Sequence, residues 1–124
     1  MISNFQKLRS TAVILCCVVF LIIPAAFAHT HPLSMTPAPD STVETPSSIV
    51  MHFSGDMEPK FSSITVRNAS GHVVNGEASS IASDDRKRMS VALPKLPPGV
   101  YTVNWVAVSV DTHRSQGEYK FTVK

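Results

Sequence analysis

The sharpest chemical signal is Asp111-Thr112-His113, which follows a long β-branched run. Residues two apart in an extended chain point to the same side, so the Asp111 carboxylate and the His113 imidazole can converge on one ion or one hydrogen-bond partner. The same three residues also fit a surface turn in which the aspartate bonds its own backbone. A second signal is His29, which follows Ala26-Phe27-Ala28, a small-x-small pattern of the kind at which export leaders are cut. Cutting there frees the α-amine of His29, and amine and ring Nδ1 together close a six-membered chelate on one metal. A free α-amine has a reference pKa near about 8, so a divalent metal displaces its proton at modest cost. His113 adds a third nitrogen, and the Asp111 oxygen supplies a fourth or axial ligand. Such a set suits tetragonal Cu(II) better than calcium or magnesium, which prefer oxygen ligands.

A rival mode starts from the same terminus. In His29-Thr30-His31 a histidine stands third, so the amine, two deprotonated amides and the His31 ring could wrap Cu(II) or Ni(II) in a plane without Asp111 or His113. That mode needs a flexible terminus and ranks second, because a folded domain offers His29 a preorganised partner. His52, within Val50-Met-His-Phe-Ser54, reads as a packed or hydrogen-bonded strand residue, and His72 beside Gly71 as solvent-exposed. Met35, Met51, Met57 and Met89 are dispersed, which gives a thioether Cu(I) site little support.

The residues ahead of His29 differ in kind from the rest. Lys7 and Arg9 precede an uncharged run from Thr11 to Phe27, and Pro24 ends its apolar part. Residues 1–28 therefore read as a cleaved Sec-type secretory signal peptide, and 29–124 as the mature domain. An uncleaved membrane anchor is the alternative, but the apolar stretch Thr11–Ile23 is shorter than the ~20 residues a spanning helix needs. Cys16 and Cys17 lie inside that stretch, so a lipoprotein site does not fit either.

The whole chain has 124 residues and a formal charge of +2, which allows one modest domain and excludes a two-domain enzyme. Both excess positive charges leave with Lys7 and Arg9, so the mature part is neutral and offers no electrostatic footprint for nucleic acid or an anionic membrane. Both cysteines leave too. The exported domain must therefore hold together without disulfides and bind metals without thiolate.

The elements that must position these residues are strands. Ser48–Phe53, Phe61–Arg67, a short segment at His72–Val74, Met89–Leu93, Val100–Val110 and Gly117–Lys124 are β-rich runs separated by turn signals such as Asn68-Ala-Ser-Gly71 and Pro97-Pro98-Gly99. His29–Pro46 reads as an irregular lead-in and Asn75–Arg88 as a solvated, mixed-charge loop. About seven short strands predict an all-β Greek-key sandwich of the immunoglobulin-like type, with an open barrel as fallback. Tyr101, Val103 and Trp105 share one face of the long strand, which makes Trp105 a core anchor. A core this small leaves little room for an internal pocket, so function belongs at an edge or end of the sandwich.

Together, the leader ending in Ala-Phe-Ala, the start His29-Thr-His-Pro-Leu-Ser-Met-Thr-Pro-Ala38, the segment His52-Phe-Ser-Gly-Asp-Met-Glu-Pro-Lys-Phe-Ser62, the run Leu96-Pro-Pro-Gly-Val-Tyr-Thr-Val-Asn-Trp-Val-Ala-Val-Ser109 and Asp111-Thr-His113 resemble the CopC/PcoC/YobA family of periplasmic copper-resistance proteins. The resemblance spans the mature chain in order. It implies a cupredoxin-like or immunoglobulin-like Greek-key sandwich that binds Cu(II) through His29, Asp111 and His113, the set that ligand chemistry also suggests. Two departures stand out: the loop Asn68–Asp85 lacks the methionines that some members use for Cu(I), and Gly55-Asp56 stands where some place a glutamate directly after His-Phe-Ser.

The expectation is a monomeric periplasmic protein that binds one Cu(II), is not itself a membrane protein once cleaved, and either sequesters copper or passes it to an inner-membrane transport partner of the CopD type. No nucleophile elbow, phosphate loop or carboxylate pair points to hydrolytic or nucleotide chemistry. Two other classes compete: a copper oxidative enzyme built on a terminal-histidine brace, and a metal-free exported interaction module that uses a sandwich edge.

Overall fold

Alternation of β-branched and aromatic residues with polar ones dictates where this chain is extended and which side of each strand turns inward. The computed structural model describes residues 29–124, and the expected leader lies outside them. Its strands are β1 (Pro32–Thr36), β2 (Thr42–Val43), β3 (Ser48–Phe53), β4 (Ser63–Arg67), β5 (Ser80–Ala82), β6 (Asp85–Ala92), β7 (Gly99–Val108) and β8 (Arg114–Val123). They form two four-stranded sheets, ordered β1-β3-β6-β5 and β2-β8-β7-β4. Pairing is antiparallel throughout except where β2 runs parallel to β8. The chain moves from one sheet to the other after β1, β2, β3, β4 and β6, as a sandwich requires. No described helix is long and apolar enough to cross a membrane.

The core takes Ile49, Met51 and Phe53 from β3 and Met89 and Val91 from β6. Against them the second sheet sets Ile64 and Val66 of β4, Tyr101, Val103, Trp105 and Ala107 of β7, and Tyr119, Phe121 and Val123 of β8. Trp105 is the anchor its position in the alternation predicts. Its ring meets the edge of Phe53 across the two sheets, with centroids 5.5 Å apart at 67°. The Tyr101 hydroxyl donates to the Pro97 carbonyl at 2.6 Å and ties the start of β7 to the turn before it.

The structure has eight strands where about seven were expected, and the differences have physical causes. β1 and β2 arise in the stretch read as irregular, because edge strands are held by backbone pairing and tolerate the Pro, Ser and Thr there. His72–Val74 is not a strand. It contributes a single bridge, Val73 to Arg67, at the margin of β4. Asn75–Arg88 is only partly loop, for it contains β5 and the first half of β6. Those charged positions extend β6 beyond its apolar alternation because β3 and β5 pair with them, as His52 does with Arg88. Their charges are also matched, with Arg86 3.3 Å from Glu58 and Arg88 3.1 Å from Asp84.

Candidate metal centre

Three segments meet beyond the ends of β3 and β7. They are residues 29–31 ahead of β1, the loop that follows Phe53, and the turn 109–113 between β7 and β8. The β7 ladder carries on past Val108 as a bridge from Ser109 to Met57, and Val110 N–H donates to the Asp56 carbonyl at 3.2 Å. These bonds fasten the turn to the loop, and the loop in turn holds the amino-terminal segment.

Within the turn, Ser109 N–H donates to the His113 carbonyl at 2.9 Å and Thr112 N–H to the Ser109 carbonyl at 2.8 Å. Closing it puts Thr112 at φ 73°, a left-handed conformation that a β-branched residue adopts only when the surroundings impose it. The reward is the placement of the flanking side chains. Asp111 Oδ1 lies 3.2 Å from His113 Nδ1, and the buried Ser109 hydroxyl donates to the same carboxylate oxygen. The Ser109 bond, followed by the His113 side chain, holds the Asp111 carboxyl below the usual carboxylate range and outweighs a smaller opposing push from burial. An Nδ1 that faces a carboxylate carries the proton, which leaves the Nε2 lone pair of His113 for a metal. Asp111 Oδ2 is the carboxylate oxygen left to offer.

His29 joins the cluster from 84 residues earlier in the chain. Its ring stands 5.4 Å from that of His113, centroid to centroid, edge to face at 87°. A metal bound about 2 Å from one nitrogen of each of two imidazoles holds their centroids roughly 4 to 6 Å apart, and the spacing of this pair falls in that range. A cleft of about 250 Å³ runs between His29 and Thr30, the Ser54–Asp56 loop and the Ser109–Asp111 stretch. Both side chains are accessible, at 47% exposure for His113 and 59% for Asp111.

Each expected site residue can now be placed. His29 and His113 come together, as do Asp111 and His113, but among the described residues no three His, Cys, Asp or Glu side chains converge on one point as a ready cage. Asp111 turns Oδ1 toward Ser109 and His113, and the expected set draws its remaining nitrogen from an amine, not from a side chain. His31 turns its Nδ1 to Ser54 Oγ at 3.2 Å and to the His29 carbonyl at 3.4 Å. His52 is bonded as expected, with Nδ1 3.2 Å from Ser34 Oγ, and His72 is exposed on its turn. Sequence reasoning missed Ser109, Thr30, Ser54 and Ser115. Only Ser109 carried a signal, as a hydroxyl two residues before an aspartate at a strand end.

Fold and site together define a class: a small β-sandwich with no cysteine among the described residues, and with a histidine pair and a carboxylate gathered at an open end. Residues 33–124 match the CopC domain family, and the chain belongs to that family. Among its relatives is the protein YobA of Escherichia coli K12, 33% identical over 126 residues that span all of both chains. The copper resistance protein C of Escherichia coli is 36% identical over 107 residues, 81% of this chain and 85% of that one. The crystal structure of CopC from Methylosinus trichosporium OB3b superposes with a TM-score of 0.73 at 29% identity, covering 77% of this chain and 94% of that one.

Proposed function

We propose that this chain is a periplasmic copper-binding protein of copper resistance and homeostasis, and that it carries one Cu(II) on His29, Asp111 and His113 after cleavage behind Ala28. The observation that carries the reading is the approach of the His29 ring to within 5.4 Å of His113, whose other face is fixed by Asp111. Membership of the CopC domain family and the relative named for copper resistance support copper as the cargo. His113 contributes Nε2, Asp111 both steers that imidazole and offers Oδ2, and His29 contributes its ring and the amine that processing creates. Protonation of these groups releases the ion.

The exposure of the ligands favours hand-over above permanent burial. An ion seated in a shallow cleft can be reached by a second protein, here an inner-membrane transport partner of the CopD type, without opening the fold. Copper titration of the processed protein, followed by EPR, tests the site. One equivalent should bind with nitrogen ligation, and both His113→Ala and retention of Ala28 ahead of His29 should weaken it by about 10-fold or more, each removing a direct ligand. Unchanged affinity in both variants would refute this assignment.

A further inference from the structure

The amino-terminal segment contains a second copper ligand set, and the fold has taken hold of the atoms that set would need. His31 N–H donates to Ser54 Oγ at 3.1 Å, and Ser54 N–H donates back to the His31 carbonyl at 2.9 Å. The Thr30 carbonyl accepts a bond from the Ser115 hydroxyl, and Thr30 itself is 5% exposed. Its side chain lies over Gly55 so closely that a Cβ there would stand 2.9 Å from Thr30 Oγ1. Residues 30 and 31 are therefore sewn to the loop after β3 on one side and to β8 on the other.

A wrapped His29-Thr30-His31 chelate is disfavoured on a segment held in this way. It binds through the amine, the amide nitrogens of Thr30 and His31, and the His31 ring, so both amide protons must leave and the residues must close around the ion. The His31 amide proton is committed to Ser54, and closing the loop would draw Thr30 out of its buried seat. Building on the copper site proposed above, we propose that Ser54, Gly55 and Ser115 are positioning residues that choose between two copper sites sharing one amine. By clamping residues 30 and 31 they leave His29 over His113 and suppress the wrapped mode. The short hydroxyl side chains and the glycine at these positions are thus determinants of copper geometry, although none of them touches the ion.

The two modes differ in proton balance, which makes the choice measurable. Wrapping expels two backbone amide protons in addition to those displaced from the amine and imidazole, whereas the His29–His113 centre expels none from amides. Protein beginning at His29 is titrated with Cu(II) and, separately, with Ni(II) in weak buffer, and the protons released per metal are counted beside EPR and visible circular dichroism. In the parent protein, binding should be insensitive to His31→Ala and sensitive to His113→Ala. In the Ser54→Ala/Ser115→Ala double variant the wrapped fraction should rise about tenfold, with about two more protons released for each ion that shifts to the wrapped mode. Ni(II) should become diamagnetic, and a further His31→Ala change should abolish both signs.

Ser115→Thr, which keeps the hydroxyl, should restore the parent behaviour. Ser54→Ala alone, which removes one half-buried hydroxyl of the clamp and should shift copper the same way to a smaller extent, covers the case in which the double variant does not fold. Parent-like proton counts and spectra in the folded variants would overturn the clamp and leave the site intact. A parent protein already insensitive to His113→Ala and sensitive to His31→Ala would overturn both.

Discussion

Ser109→Ala separates the chemistry of the site from its architecture. The hydroxyl makes two contacts, to Asp111 Oδ1 and to the His113 carbonyl at 3.1 Å. The turn should survive without it, because the backbone bonds Ser109–His113 at 2.9 Å and Thr112–Ser109 at 2.8 Å do not involve the side chain. What is lost is the donor that aims the carboxylate. Partners that orient a metal's direct ligands typically account for about 10- to 100-fold in affinity, and the variant should lose copper affinity by that factor.

The pH dependence should shift as well, and its sign follows from Asp111. The Ser109 bond is the largest cause of the lowered Asp111 pKa, so its removal lets that pKa rise toward the ordinary carboxylate value. A carboxylate with a depressed pKa contributes above that pKa and loses its contribution as pH falls through it. Copper release on acidification should therefore begin at higher pH in Ser109→Ala than in the parent. A competition titration against a chelator, repeated from neutral pH down to about pH 3, reads both quantities. If the folded variant keeps the parent affinity and the same acid limb, Asp111 is not positioned by Ser109 in the bound state.

Two further predictions concern the scaffold. Gly117 faces Trp105 across β7 and β8, and a Cβ there would stand 2.7 Å from Cζ2, so Gly117→Ala must push a ring already wedged against Phe53. The overpacking should cost about 1–3 kcal/mol and lower Tm by roughly 4–8 °C per kcal/mol, with the single tryptophan as fluorescent reporter; an unchanged Tm would contradict the packing. The Tyr119 hydroxyl is buried without a hydrogen-bond partner, and desolvation pushes its pKa up to about 12. Tyr119→Phe should stabilise the domain by about 1 kcal/mol in denaturant melts. A raised pKa in the folded state gives stability that is full below the unfolded value near about 10 and is lost as pH climbs toward the folded one. The parent should therefore show an alkaline loss between those values that Tyr119→Phe lacks.

Much of the fold was legible because burial on one face of a strand imposes a two-residue rhythm. Ile49-Met51-Phe53 and Tyr101-Val103-Trp105 follow it and form the core. Where pairing does not bury side chains the rhythm vanishes, which is why β1, β2 and the charged start of β6 did not announce themselves. His72–Val74 shows the converse: β-prone residues beside the outer edge of β4 form one bridge and go no further, because the Ile64 and Val66 amides of that edge are taken by the Ser79 and Asn75 side chains.

For the site, the division is one of distance along the chain. Sequence alone determined which atoms could bind copper, since ligand chemistry belongs to residue types, and the D-x-H spacing put a carboxylate and an imidazole within reach of each other. Tertiary structure decided which of them meet. Sheet register brings the far amino-terminal His29 against His113 and sets Ser115 beneath Thr30, residues 85 apart in the chain. The same register lets Ser54 take the His31 amide proton. A hydrogen bond between residues distant in sequence exists only once the intervening strands have paired, so the proposed choice between two ligand sets that both begin at His29 rests on the folded chain.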